Sequence, residues 1–101
     1  MPHITFVKKI LVDGSLCKKC QEVSERLEQD GLTPLINHVV IADEGDASSE
    51  GMRLAQLHSV SRAPFFLVET EEEEIVVFDI YFKLKKYVAE LGLSTTKSVS
   101  L

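Results

Sequence analysis

Five residues, Thr70-Glu71-Glu72-Glu73-Glu74, separate two runs of strand-forming residues, Phe65 to Glu69 and Ile75 to Ile80. A parallel pair needs a crossover of a dozen or more residues. This join is too short for one, so the two runs must form an antiparallel hairpin with the glutamates at its solvated tip. Upstream the spacing is different. His3 to Val7 has the alternating, β-branched character of a strand, and Leu35 to Ala42 is a second run dense in Ile and Val. The gaps after these two runs are long enough to hold helices.

The first gap begins with turn chemistry, Asp13-Gly14-Ser15, in which Asp13 or Ser15 is placed to cap a helix. Leu16, Cys20, Val23 and Leu27 then recur on one helical face, with Gln21, Glu25 and Gln29 outside and Gly31 as the stop. Two adjacent lysines suit a buried strand poorly, so the first strand is expected to end near Lys8, with Ile10 to Ser15 as an approach loop. After the acidic loop Asp43 to Ala47, Ser48 or Ser49 starts a second helix to about His58, with Met52, Leu54 and Ala55 inward. Asp79 is placed to cap a last helix, Tyr81 to Leu91, with Leu84, Val88 and Leu91 on one face and Gly92 after it. The predicted order is β-α-β-α-β-β-α. Right-handed crossovers would make the first three strands parallel, and the density of Ile and Val in the second is that of a strand covered on both faces. One domain over residues 1–93 follows, with a polar, patternless tail at 94–101.

A chain of 101 residues can build one core without staples. The net charge of −5 argues against a nucleic-acid binder, which would have to neutralise phosphates. The longest apolar runs are too short to span a bilayer. Met1 to Phe6 has no basic start, apolar stretch or cleavage site, so a cytoplasmic address is the expectation. In that compartment a disulfide is usually transient and catalytic.

The two cysteines are Cys17 and Cys20, in Cys17-Lys18-Lys19-Cys20, between an apolar run (Ile10-Leu11-Val12) and the first amphipathic helix pattern. Two cysteines at this spacing can exchange a disulfide within one helical turn, and in a strand–loop–helix context the pair reads as a thiol–disulfide redox site. Cys17, at the helix N-terminus, is the expected nucleophile, its thiolate favoured by the helix dipole and by Lys18 and Lys19. Cys20, on the apolar face, is the expected resolving thiol. Zinc needs about four ligands. No further cysteine exists, and His3, His38 and His58 form no ligand spacing with the pair, so no metal site is expected.

The order of elements, Cys17-Lys18-Lys19-Cys20, and the segment Ala55, His58, Val60, Ala63, Pro64 together resemble the thioredoxin-fold superfamily. The short N-terminus is closer to the minimal glutaredoxin-type arrangement than to full thioredoxins. The resemblance covers roughly Ile4 to Leu91. It implies an α/β thioredoxin-like fold, a four-stranded mixed sheet with helices on both faces. It also implies a cis Ala63–Pro64 bond facing the cysteines. A cis X-Pro bond leaves the preceding residue's backbone free, so Ala63 and Pro64 become substrate-groove residues, joined by Lys18 and Lys19 as recognition residues. The chain departs from the family pattern: neither Trp-Cys-Gly-Pro-Cys nor Cys-Pro-Tyr-Cys is present, and no aromatic residue flanks Cys17. The buried acid of thioredoxins falls on Leu11. The Gly-Gly and Asp with which glutaredoxins hold glutathione are replaced by Val76-Val77-Phe78-Asp79, which leaves glutathione without those contacts.

The expected function is thiol–disulfide oxidoreduction by the Cys17–Cys20 pair, with no cofactor beyond that redox-active disulfide. Its partners would be a disulfide-containing protein or low-molecular-weight thiol and a separate reductase or thiol reductant, with no nucleic acid and no membrane. The alternative is a thioredoxin-fold adaptor whose cysteines sense oxidation or hold an iron–sulfur cluster or other metal, with little turnover.

Overall fold

The structure is a computed structural model and describes residues 2–92. The end of the predicted domain at residue 93 and the predicted tail at 94–101 lie outside the described residues. The chain forms β1 (His3–Ile10), α1 (Lys18–Gln29), a 3-10 turn (Thr33–Leu35), β2 (His38–Asp43), α2 (Glu50–Leu57), β3 (Phe65–Glu69), β4 (Ile75–Phe78) and α3 (Tyr81–Glu90). The strands form one sheet in the order β2-β1-β3-β4. No described helix is long and apolar enough to cross a membrane.

Alternation along β1 sets the two layers. Ile4 and Phe6 face one side and Val7 the other. On the first side they meet Val23 and Leu27 of α1, Phe66 and Val68 of β3, and Leu84 and Val88 of α3. The Phe6 and Phe66 rings stack there with centroids 4.7 Å apart. On the second side Val7, Val40, Ala42, Phe65 and Leu67 are covered by Met52, Leu54 and Ala55 of α2 and by Val60. Helices therefore lie on both faces. Burial of each large apolar side chain contributes about 1.5–3 kcal/mol.

β1 and β2 run parallel, from Thr5 with His38 to Ile10 with Asp43. β3 is antiparallel to β1, from His3 with Glu69 to Val7 with Phe65, which corrects the expectation of three parallel strands. The handedness rule constrains a crossover only where the strands it joins are parallel, and α2, eight residues long, packs on β2 and β1. The chain enters β3 at the end where β2 finished. β3 and β4 form the expected antiparallel hairpin, with Glu69 opposite Ile75.

The end of β1, the start of β2 and the covering of β2 differ from expectation. β1 continues through both lysines to Ile10, because Lys9 finds Glu44 at 3.0 Å and the Lys8 ammonium lies over the Phe6 ring, 5.5 Å from its centroid. β2 begins at His38, because Pro34 sits inside the 3-10 turn and Asn37 is tied to Ile4, its side chain accepting from the Ile4 N–H and its own N–H donating to the Ile4 carbonyl. β2 is also an edge strand with one covered face: Val40 and Ala42 are buried, whereas Val39 and Ile41 are 49% and 37% exposed.

Candidate redox site at the start of the first helix

The site is assembled where β1 ends. Between Leu11 and Ser15 the chain reverses in a tight turn: the Leu11 N–H donates to the Ser15 carbonyl and the Gly14 N–H to the Leu11 carbonyl. Gly14 sits at φ +89°, which favours a residue without Cβ. Asp13 and Ser15, expected as caps, serve this turn instead, since the Asp13 carboxylate accepts from the Ser15 N–H and hydroxyl. Leu16 bridges back to Ile10 and is not in the helix. The N-cap of α1 is Cys17 itself.

One residue touches both cysteines, Cys17 at its main chain and Cys20 at its sulfur. The Lys9 carbonyl accepts from the Cys17 N–H at 3.0 Å, and the Lys9 N–H donates to the Cys20 sulfur at 3.2 Å. Both cysteines are free thiols, Cys17 half-buried and Cys20 buried. Cys20 shares the inward face of α1 with Val23 and Leu27, as its spacing predicts. Partial burial pulls the Cys17 thiol up. The Cys20 N–H and thiol, the Lys19 N–H and the Lys9 ammonium outweigh it, and Cys17 is held below its ordinary value. Burial pushes the Cys20 thiol up to about 11, against the pull of the Lys9 N–H, and the neighbouring Cys17 adds to the rise.

The charge that acts on Cys17 therefore comes from Lys9 in β1. Lys19 contributes through its backbone N–H, and the Lys18 and Lys19 side chains are exposed at the helix start. Sequence reasoning passed over Lys9, because only the sheet brings it under the cysteines. The signal available was the two-lysine interruption of an apolar strand just before the cysteines.

The Ala63–Pro64 bond is cis. Val7 pairs with Phe65, so the register continued by one residue sets Pro64 alongside Lys8, next to the residue that holds both cysteines. Lys19, Ala63 and Pro64 line a groove of about 400 Å³ together with Arg62, Ile80 and Phe82; Lys18 does not line it. Asp79 lies on its wall and not in a cap, since the N-cap of α3 is Ile80 with no side-chain hydrogen bond. The far end of α1 is fastened to α3: the Tyr81 hydroxyl donates to Asp30 at 2.7 Å and Lys85 pairs with Asp30 at 3.3 Å. Among the described residues no group of three or more His, Cys, Asp or Glu is placed to hold a metal ion.

The fold is thioredoxin-like, with a Cys-x-x-Cys pair at the start of α1. The thioredoxin of Fasciola hepatica superposes with a TM-score of 0.52 at 16% identity, over 87% of this chain and 80% of that one. Chlamydomonas reinhardtii thioredoxin f2 superposes with a TM-score of 0.53 at 11% identity, over 94% and 84%. A designed protein superposes with a TM-score of 0.50 at 19% identity, over 88% and 80%. No family model matches the chain, and no curated protein matches it.

Proposed function

We propose that the protein is a thiol–disulfide oxidoreductase working through Cys17 and Cys20. One observation carries this reading: two thiols one turn apart have opposed environments, Cys17 half-buried with its acidity raised and Cys20 buried with its acidity lowered. Thiolate is the attacking species, so the asymmetry assigns the order of events. The Cys17 thiolate attacks one sulfur of a target disulfide, a Cys17–target bond forms, and the second target sulfur leaves as thiolate. Cys20 then gives its proton to solvent or to the departing thiolate and attacks the Cys17 sulfur. The target leaves fully reduced, two electrons have passed to it, and a Cys17–Cys20 disulfide remains. A thiol reductant returns the pair to the dithiol.

The groove of Ala63 and Pro64 reaches α1 at Lys19, which stands between the two cysteines in sequence though neither cysteine lines it, and this supports a place there for the target, an extended segment pairing with the Ala63 backbone. A disulfide-bearing protein or small thiol is the partner this predicts, with glutathione lacking the contacts noted above. The test is disulfide reduction with the pre-reduced protein and a peptide disulfide, beside a trap with Cys20→Ser. Reduction by the wild type and accumulation of a Cys17-linked mixed disulfide in the variant are expected. An intramolecular disulfide that forms on oxidation while no target is reduced would overturn the enzyme reading and leave a redox-sensing module.

A further inference from the structure

Lys9 is tied into the site at three points. Its N–H donates to the Cys20 sulfur at 3.2 Å, its carbonyl accepts from the Cys17 N–H at 3.0 Å, and its ammonium pairs with Glu44 at 3.0 Å. Glu44 is itself anchored, its N–H donating to the Ile10 carbonyl at 2.8 Å just past the β1–β2 ladder. The ion pair is partly screened, its side chains 29% and 37% exposed, so the ammonium is held but not extinguished. We infer that Lys9 is the positioning residue of the dithiol and that Glu44 governs how much of its charge reaches Cys17.

The two halves of the inference are separable. The backbone of Lys9 fixes the Cys17 main chain through its carbonyl and the Cys20 sulfur through its N–H, a role any residue with an N–H fills. Its side chain supplies a cation whose effect on a thiolate falls as a carboxylate draws it away. The lowering of Cys17 by Lys9 accords with this. The other groups at the site are accounted for: Cys20 on α1, the exposed Lys18 and Lys19 at its start, Lys8 on β1, which acts on Cys20, and Arg62 and Asp79 along the groove. Glu44 is the carboxylate that pairs with Lys9.

The test uses the intact reduced protein and two substitutions that keep every backbone bond, Lys9→Met and Glu44→Gln. The Cys17 pKa is read from thiolate absorbance against pH, and its reactivity from iodoacetamide labelling near neutral pH. Lys9→Met should raise the pKa and slow labelling by roughly two- to five-fold, the span expected of a partly exposed charge. Glu44→Gln should do the reverse. Lys9→Arg should restore the wild-type value. Simple loosening of the site would move Lys9→Met and Glu44→Gln in the same direction, and that result overturns the inference, as does a Cys17 unmoved by either. Neither readout needs a substrate, so the inference can fail while the oxidoreductase reading stands, and the reverse.

Discussion

The Cys20 thiol is buried and pushed up to about 11, so folding and ionisation of this group oppose one another. An unfolded thiol titrates near 8.5. Below that pH both states hold the proton and the contribution to stability is complete. Between about 8.5 and about 11 the unfolded chain loses the proton first, and stability of the reduced protein falls as pH rises. Urea midpoints measured across this window should decline, and Cys20→Ala should remove that part of the slope; an equal slope in the variant would refute the assignment. Cys17 acts with the opposite sign: its folded-state value is lowered, so its contribution is present above the ordinary thiol range and lost as pH falls. The same asymmetry predicts chemistry. Iodoacetamide near neutral pH should label Cys17 much faster than Cys20, as peptide mapping would show, and Cys17→Ser should leave a slowly labelled protein. The burial of Cys20 was readable from helical spacing, because a 3.6-residue period puts Cys20 with Val23 and Leu27. The role of Lys9 was not, since it depends on a strand eleven residues away from Cys20.

Helix α2 carries two predictions of opposite sign. A Cβ on Gly51 would lie 2.4 to 2.6 Å from the Ala42 N, the Ile41 C and the Ala42 Cα of β2. These are backbone atoms of a paired strand and cannot step aside. Gly51→Ala gains about 1 kcal/mol of helix propensity but must push α2 off the sheet, and a net loss of about 1–3 kcal/mol is expected by urea denaturation. An unchanged midpoint would mean that the helix can shift freely. At its other end α2 closes with the Ser59 N–H on the Gln56 carbonyl and the Val60 N–H on the Ala55 carbonyl. This motif usually places Gly where Ser59 sits at φ +56°. Ser59→Gly should therefore stabilise by roughly 0.5–1 kcal/mol, and a lower midpoint would contradict the motif. The helix itself was legible from Ser49 to His58. Neither special position was, since one is defined by distance to a strand and the other by a dihedral angle. The misread starts of β2 and α1 have the same origin. Leu35 is apolar enough for a strand and Leu16 for a helix, but Pro34 and the bridge from Ile10 to Leu16 claim them first.

At the scale of the molecule, the order β2-β1-β3-β4 leaves β2, among the described residues, with one unpaired edge and one half-exposed face. Ile41→Lys on that face should shift the urea midpoint little, whereas Val40→Lys on the covered face should prevent folding. Similar outcomes for the two would refute the register. The hairpin and the α/β class were evident in the spacing of apolar runs. The direction of β3 was not, because handedness rules constrain a crossover only once the strands it joins are known to be parallel. The middle of the sheet also has a consequence for how it is made. β1 meets β2 after one helix, yet its other flank waits for β3, whose partners for Val7 and His3 lie roughly sixty residues further along the chain. On a ribosome, the β1-α1-β2 half would be synthesised well before the hairpin that completes it. During that interval an interior strand, with Phe6 and Val7 upon it, has an open side. Such a strand is a template for any passing chain, and loss during refolding should therefore rise with protein concentration and concentrate on β1.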